Sequence, residues 1–220
     1  MGFHTYPIER ADALEDPSRY RYCSREELLE LLAPTGDDVV ADLGSGTGFY
    51  TDDVAPFVDA VYAVDVQSAM HDRYREKGAP ANVEFVTTEV SSLPFDDDRL
   101  DGAFSTMTHH EYASVEPRST DESSGEIDRK ALRAFRDDER AELSRTTASP
   151  DDAFAELARA IRPGGRLATV DWSADGSGED GPPVEERFSL EDAVAQLEAS
   201  GFTIETARDR PETFAIAATR

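Results

Sequence analysis

The chain has one cysteine, Cys23, only two lysines, Lys77 and Lys130, and no apolar run near the length of a membrane span. A single thiol cannot close an intramolecular disulfide. About 18 consecutive apolar residues are needed to suggest a spanning helix, and the N-terminus has no apolar segment of signal-peptide type. A cytoplasmic protein with no membrane span is expected. Positive charge is scarce as well: 22 Lys and Arg stand against 47 Asp and Glu, a formal net charge of −25. Binding to nucleic acid or an anionic membrane requires clustered cations to neutralise phosphate, so unaided binding to either is not expected. The acids are spread along the chain rather than gathered in a tail. Such a surface is either simply solvated or adapted to high salt, where the screening length falls to about 3 Å at 1 M. The second reading is favoured, because self-repulsion otherwise destabilises the compact state.

What is present points to one domain. A chain of 220 residues can bury a core without staples. Residues 24–33 read as a helix with Ser24 and Glu27 in a capping-box pattern, ended by Gly36. Strands are expected at about 38–43, 61–65, 83–86, 100–105, 166–172, 202–207 and 213–218. Helices are expected at about 48–57 and 68–77, from Ser149-Pro150 onward, and from Ser189 onward. This alternation implies an α/β fold with a mainly parallel sheet and helices on both faces. The region 113–148 breaks the rhythm. It is polar and charged, and is read either as a surface insertion or as a lid or dimer element. A homodimer is therefore left open.

The densest signal is Asp42-Leu43-Gly44-Ser45-Gly46-Thr47-Gly48, directly after the apolar run Val39-Val40-Ala41. A strand, a glycine turn and a helix form a nucleotide-type site at the carboxyl end of a parallel strand. Glycines there let backbone approach a ligand closely. A dinucleotide fold wants G-x-G-x-x-G; here the third glycine comes one residue early. The acid at Asp42 would repel a pyrophosphate but suits an amine or ammonium.

The pattern D-x-G-x-G-x-G resembles the first motif of class I S-adenosylmethionine-dependent methyltransferases, of the small-molecule type similar to the ubiquinone/menaquinone enzymes. The resemblance extends over about 36–112 and 149–220. It implies a Rossmann-like seven-stranded sheet with an antiparallel final strand, in a single domain 1–220 with an N-terminal arm and helix over 1–35. It implies S-adenosylmethionine as cofactor, with Asp65 on the ribose hydroxyls and Glu89-Val90, before Leu93-Pro94-Phe95, against the adenine. Glu89 stands where the family usually has Asp. The implied cofactor-binding set is Asp42, Gly44, Ser45, Gly46, Gly48, Asp65, Val66, Glu89, Val90 and Thr106. Arg162-Pro163-Gly164-Gly165-Arg166 is similar to the family's turn before strand five, and Asp171-Trp172, Gly181-Pro182-Pro183 and Glu186-Arg187 resemble the small-molecule subgroup. With the acidic composition, the resemblance is placed in a halophilic archaeon.

Methyl transfer needs acceptor, methyl carbon and sulfur held in line, and positioning of that kind supplies about 7–11 kcal/mol. An acceptor that must lose a proton also needs a base. His109-His110-Glu111-Tyr112 follows strand four, where the acceptor should sit. His110 is the candidate base and Glu111 the candidate orienting acid. Asp171 is a weaker candidate, to be weighed against a turn hydrogen bond. Tyr6, Tyr20 and Tyr22 either face the sulfonium through cation–π contacts or pack an N-terminal arm. No Asn-Pro-Pro-Tyr or Asp-Pro-Pro-Tyr stretch of the nucleic-acid amino methyltransferases follows strand four, and Cys23 alone cannot serve a multi-cysteine arsenic mechanism. His4, His71, His109 and His110 show no metal-ligand spacing, so no metal site is expected. The expected function is methyl transfer to a small-molecule acceptor. The alternatives are a non-catalytic S-adenosylmethionine-binding module and, less favoured, a nicotinamide-linked oxidoreductase.

Overall fold

The computed structural model describes residues 6–113 and 153–220. The 113–148 insertion lies outside the described residues, apart from Ala113. Two short 3-10 segments, Ile8–Glu15 and Pro17–Arg21, lead into helix α1, Arg25–Leu32. The Ser24 hydroxyl accepts from the Glu27 N–H at 3.1 Å, satisfying a first-turn donor. The helix stops at Ala33, in a left-handed conformation (φ 47°), rather than at Gly36. Pro34 follows and cannot continue it.

Strand β1 is Val39–Leu43, α2 Phe49–Val54, β2 Ala60–Asp65, α3 Ser68–Lys77, β3 Val83–Thr87, β4 Leu100–Thr106 and α4 His109–Tyr112. After these come α5 Ala153–Ala160, β5 Ile161–Trp172, α6 Leu190–Ala199, β6 Thr203–Asp209 and β7 Thr213–Thr219. The sheet order is β3-β2-β1-β4-β5-β7-β6. The pairs among β1 to β5 are parallel, and β7 runs antiparallel between β5 and β6. This is a seven-stranded Rossmann-like sheet, with the final strand antiparallel as expected.

Two further boundaries differ from the sequence reading. Helix α2 ends at Val54 and tightens into a 3-10 turn, Ala55–Phe57; Pro56 offers no N–H to an α-helical bond. Strand β5 begins at Ile161, not Arg166. Ile161 pairs with Leu100 and Arg166 with Gly102, so residues 162–165 loop out as an irregularity inside the strand.

Alternation along β1 divides the core. Val39, Ala41 and Leu43 pack with Phe154, Leu157 and Leu197 of α5 and α6. Val40 joins Leu28, Leu31, Leu32, Tyr50 and Val54 of α1 and α2 on the other face. A strand covered on both sides must be apolar throughout, which is why the sequence here reads as a run and not as an alternation. Parallel pairing then sends the carboxyl ends of β1, β2, β3, β4 and β5 to one edge.

Candidate functional site

At that edge the glycine loop is tied to the next strand. The N–H groups of Gly44 and Ser45 both donate to the Val64 carbonyl at 2.9 Å. The Gly46 N–H donates to Asp65 Oδ2 at 2.9 Å, and the Gln67 N–H to Asp65 Oδ1 at 2.8 Å. Asp65 therefore shapes the loop whatever else it binds, and burial raises its carboxyl above the usual range. The loop's glycines serve different ends. A Cβ at Gly48 would fall 2.1 Å from the Tyr74 ring, so that glycine is required by internal packing. At Gly46 (φ 54°) the nearest atom to a Cβ is Leu14 Cδ1 of the N-terminal arm at 3.3 Å, leaving this backbone the more open of the two.

Asp42 lies beneath the loop, 2 % exposed, and its Oδ2 accepts from the Thr51 hydroxyl at 2.5 Å. Burial in this acid-rich corner pushes its carboxyl up to about 7. Asp42 Oδ1 and the buried Ser45 hydroxyl have no hydrogen-bond partner among the described residues. Unpartnered buried polar atoms are costly. Two of them under a glycine turn fit a polar ligand carrying an amine and hydroxyls. Val66, directly after Asp65, is 41 % exposed for an apolar side chain. Glu89 is exposed and Val90 buried in the 3-10 turn after β3, and Thr106 is buried at the end of β4. All of these stand at carboxyl ends of neighbouring strands. These donors, acceptors and apolar side chains fit the parts of S-adenosylmethionine.

Strand β4 leaves the sheet through Met107, a non-glycine residue at φ 62°. Its N–H still donates to the Val170 carbonyl at 2.8 Å. Thr108 Oγ1 donates to the Leu43 carbonyl at 2.7 Å, linking this turn to the glycine strand. Strained positions of this kind are held where the surroundings over-determine them. The one-turn helix α4 follows and separates its two histidines. His109 points into the core, fully buried among Tyr112, Phe154, Phe188 and Phe214, and burial pushes its imidazole down to about 4. His110 points to β5. Its backbone N–H donates to Asp171 Oδ2 at 2.6 Å, and its Nδ1 lies 2.9 Å from the same oxygen. Burial lowers this imidazole, but the charge and hydrogen bond of Asp171 outweigh it, and the net direction is upward.

The carboxylate that orients His110 is thus Asp171, not Glu111. Adjacent positions on a helical turn do not face each other, whereas the end of β5 faces α4 squarely. Glu111 is raised to about 7, mainly by burial. Asp171 was legible only as a weak candidate, because nothing in the local sequence joins positions 110 and 171.

The N-terminal tyrosines pack. Tyr20 packs at a tilt on Phe49 and donates to Asp53 at 2.9 Å, and Tyr22 meets Trp172 edge-on. The arm itself reaches the loop through Leu14, through Glu15, which accepts from Thr47, and through the Tyr6 carbonyl, which accepts from Gln67 Nε2 at 3.0 Å. The sequence shows none of these contacts, and it marks Arg187 only through a family resemblance, without showing what that side chain holds. That arginine is 5 % exposed, bonds the Pro182 and Asp180 carbonyls, and lies over Trp172, fixing the loop after β5. A separate cleft of about 200 Å³ opens at the amino end of the sheet, between Leu32, Asp38, Asp101, Arg162 and Arg166. It lies opposite the residues just described, and its arginines are paired with Asp101 and Glu205.

Comparison with known proteins agrees with this geometry. Residues 40–122 match a family model described as a methyltransferase domain. No protein of curated function matches the sequence. A SAM-dependent methyltransferase from Aquifex aeolicus is 24 % identical, with 97 % of this chain and 98 % of that one covered and a TM-score of 0.72. A structure of the complex between the Haloferax volcanii Trm112 methyltransferase activator and a methyltransferase matches at 15 % identity, 96 % of each chain and TM-score 0.68. A geranyl diphosphate methyltransferase in complex with SAM matches at 17 % identity, 97 % and 90 % coverage and TM-score 0.61.

Proposed function

We propose that this protein, an S-adenosylmethionine-dependent methyltransferase in its domain match and fold, transfers the donor's methyl group to a small-molecule acceptor. The observation that carries the reading is the tie between glycine loop and ribose-type acid, Gly46 N–H to Asp65 at 2.9 Å, above the unpartnered atoms of Asp42 and Ser45. When bound, S-adenosylmethionine supplies a methyl carbon on a sulfonium, a cation that an acidic pocket favours. In this reading Asp65 accepts from the ribose hydroxyls, and Val66, Glu89 and Val90 border the adenine. Gly44, Ser45, Gly46 and Gly48 carry the backbone along the amino-acid portion, with Asp42 beneath and Thr106 at the β4 end. His110 and Glu111 stand where the acceptor enters. The acidic surface is read as an adaptation to a salt-rich cytoplasm.

Calorimetric titration with S-adenosylmethionine and with NAD tests the cofactor. Binding of the first and not the second is expected; the reverse overturns the proposal. Release of S-adenosylhomocysteine over a panel of acceptors tests turnover. Tight cofactor binding with no turnover on any acceptor would favour a non-catalytic binding module.

A further inference from the structure

We propose that Thr108 is a positioning residue for methyl transfer, whose hydroxyl holds the glycine loop in register with the helix on the acceptor side. The inference rests on the methyl-transfer reading and adds to it a residue that the sequence motifs do not include.

Thr108 stands at the position before α4 where a Ser or Thr hydroxyl ordinarily caps the helix. It does not cap. No side-chain cap is formed there, and only the Thr108 carbonyl starts the helix, accepting from the Glu111 N–H at 3.0 Å. The hydroxyl is turned toward the sheet instead, and its Oγ1 donates to the Leu43 carbonyl at the end of β1 at 2.7 Å. A hydroxyl has one proton to give. With that proton on Leu43, the 2.9 Å contact between Ser105 Oγ and Thr108 Oγ1 must be donated by Ser105. Ser105 is fully buried in β4, so the strand that carries Thr108 also orients its hydroxyl.

The rest of the side chain fits the loop as closely. A Cβ at Gly44 would lie 2.6 Å from Thr108 Cγ2 and 2.7 Å from its Cβ, so Gly44 is the seat on which Thr108 rests. The peptide between Leu43 and Gly44 is then held from two sides. Thr108 binds its carbonyl, and its N–H donates to the Val64 carbonyl at 2.9 Å. Reaching this seat takes Met107 to φ 62°, a conformation that L side chains rarely adopt. The chain thus forgoes a helix cap and accepts an unfavourable backbone, and it gains a fixed contact between the turn after β4 and the glycine loop.

The consequence is mechanical. In-line displacement tolerates little misplacement, and a shift of about 1 Å costs on the order of a hundredfold in rate. In the methyl-transfer reading the glycine loop holds the donor, while His110 and Glu111 on α4 face the acceptor. Thr108 touches the loop with its side chain and starts that helix with its carbonyl, so the two halves of the site move as one body.

Two measurements on the whole protein test this: calorimetry with S-adenosylhomocysteine, and the NMR resonance of bound S-adenosylmethionine carrying a carbon-13 methyl group. Thr108→Val deletes the hydroxyl at nearly constant volume. It is expected to weaken S-adenosylhomocysteine binding about three- to tenfold, the size of one neutral hydrogen bond, and to move the bound methyl resonance. Thr108→Ser keeps the hydroxyl and is expected to restore the resonance, and the affinity to within about twofold, because the hydrogen bond is kept. A hydroxyl that only braced the fold would lower the melting midpoint of Thr108→Val and leave the bound methyl resonance in place. That result, or a Thr108→Ser as weak as Thr108→Val, overturns the inference while leaving methyl transfer intact. Where Thr108→Val does not fold, Ser105→Ala serves in its place. It removes only the hydrogen bond that orients Thr108; a moved methyl resonance is again expected, and an unmoved one overturns the inference. Failure of S-adenosylhomocysteine to bind the wild type overturns both readings.

Discussion

Asp65 holds two backbone N–H groups at once, those of Gly46 and Gln67, and the proposed ribose contact draws on its remaining lone pairs. Removing a charged acceptor costs about 1.5–3 kcal/mol per hydrogen bond. Asp65→Ala is therefore expected to weaken S-adenosylmethionine binding by at least about tenfold while the protein stays folded, as calorimetry would record. Unchanged affinity would remove Asp65 from the ribose. Asp42 gives a second prediction among single residues. Its carboxyl is raised to about 7 in the folded protein, well above the ordinary value near 3.9. The folded state then binds the extra proton between those values, so stability falls as pH rises from about 4 to about 7. Asp42→Asn keeps an acceptor for Thr51 but cannot ionise. Denaturant unfolding at about pH 5 and pH 8 should show a smaller loss in the variant than in the wild type; equal losses would refute the assignment.

Helix α1 shows what a local pattern decides and where neighbours take over. Its start is set by Ser24, whose hydroxyl accepts from the Glu27 N–H. Its apolar residues Leu28, Leu31 and Leu32 are buried against β4, β5 and β7 residues. Ser24→Ala is expected to cost about 1 kcal/mol, lowering the melting midpoint by about 2–4 °C at this chain length. A midpoint that does not move would mean that tertiary packing alone holds the helix start. Helix α4 is the opposite case. It has a single turn, no side-chain cap, and a position fixed by the Asp171 carboxylate on another element.

Across the molecule as a whole, stability depends on how its negative charge is screened. With 47 acids and 22 bases, self-repulsion opposes the compact state at low ionic strength. Raising potassium chloride from about 0.05 M to about 2 M shortens the screening length to a few ångströms. The melting midpoint is expected to rise by several degrees, at about 2–4 °C per kcal/mol. A change of only about a degree would refute the high-salt reading of the surface, since screening would then have nothing to relieve.

The order of strands and helices was already legible in the chain, because buried parallel strands must be apolar runs and glycine turns must separate them from helices. So were the glycine loop at the end of β1 and an acid at the end of β2, since such motifs are contiguous. Strand limits read this way failed where pairing overrode local signals: Arg162-Pro163-Gly164-Gly165 reads as a turn, yet Ile161 before it already pairs with Leu100. The partner of His110 emerged only on folding. Asp171 lies 61 positions away in sequence, and no periodicity links residues on different strands; parallel register alone brings the ends of β4 and β5 together. The same holds for Gly48, which reads as a ligand glycine and is required by the Tyr74 ring. Local motifs encode backbone shape within a few residues, whereas the direction a side chain faces, and the charge it meets there, depend on elements that only the folded sheet makes neighbours.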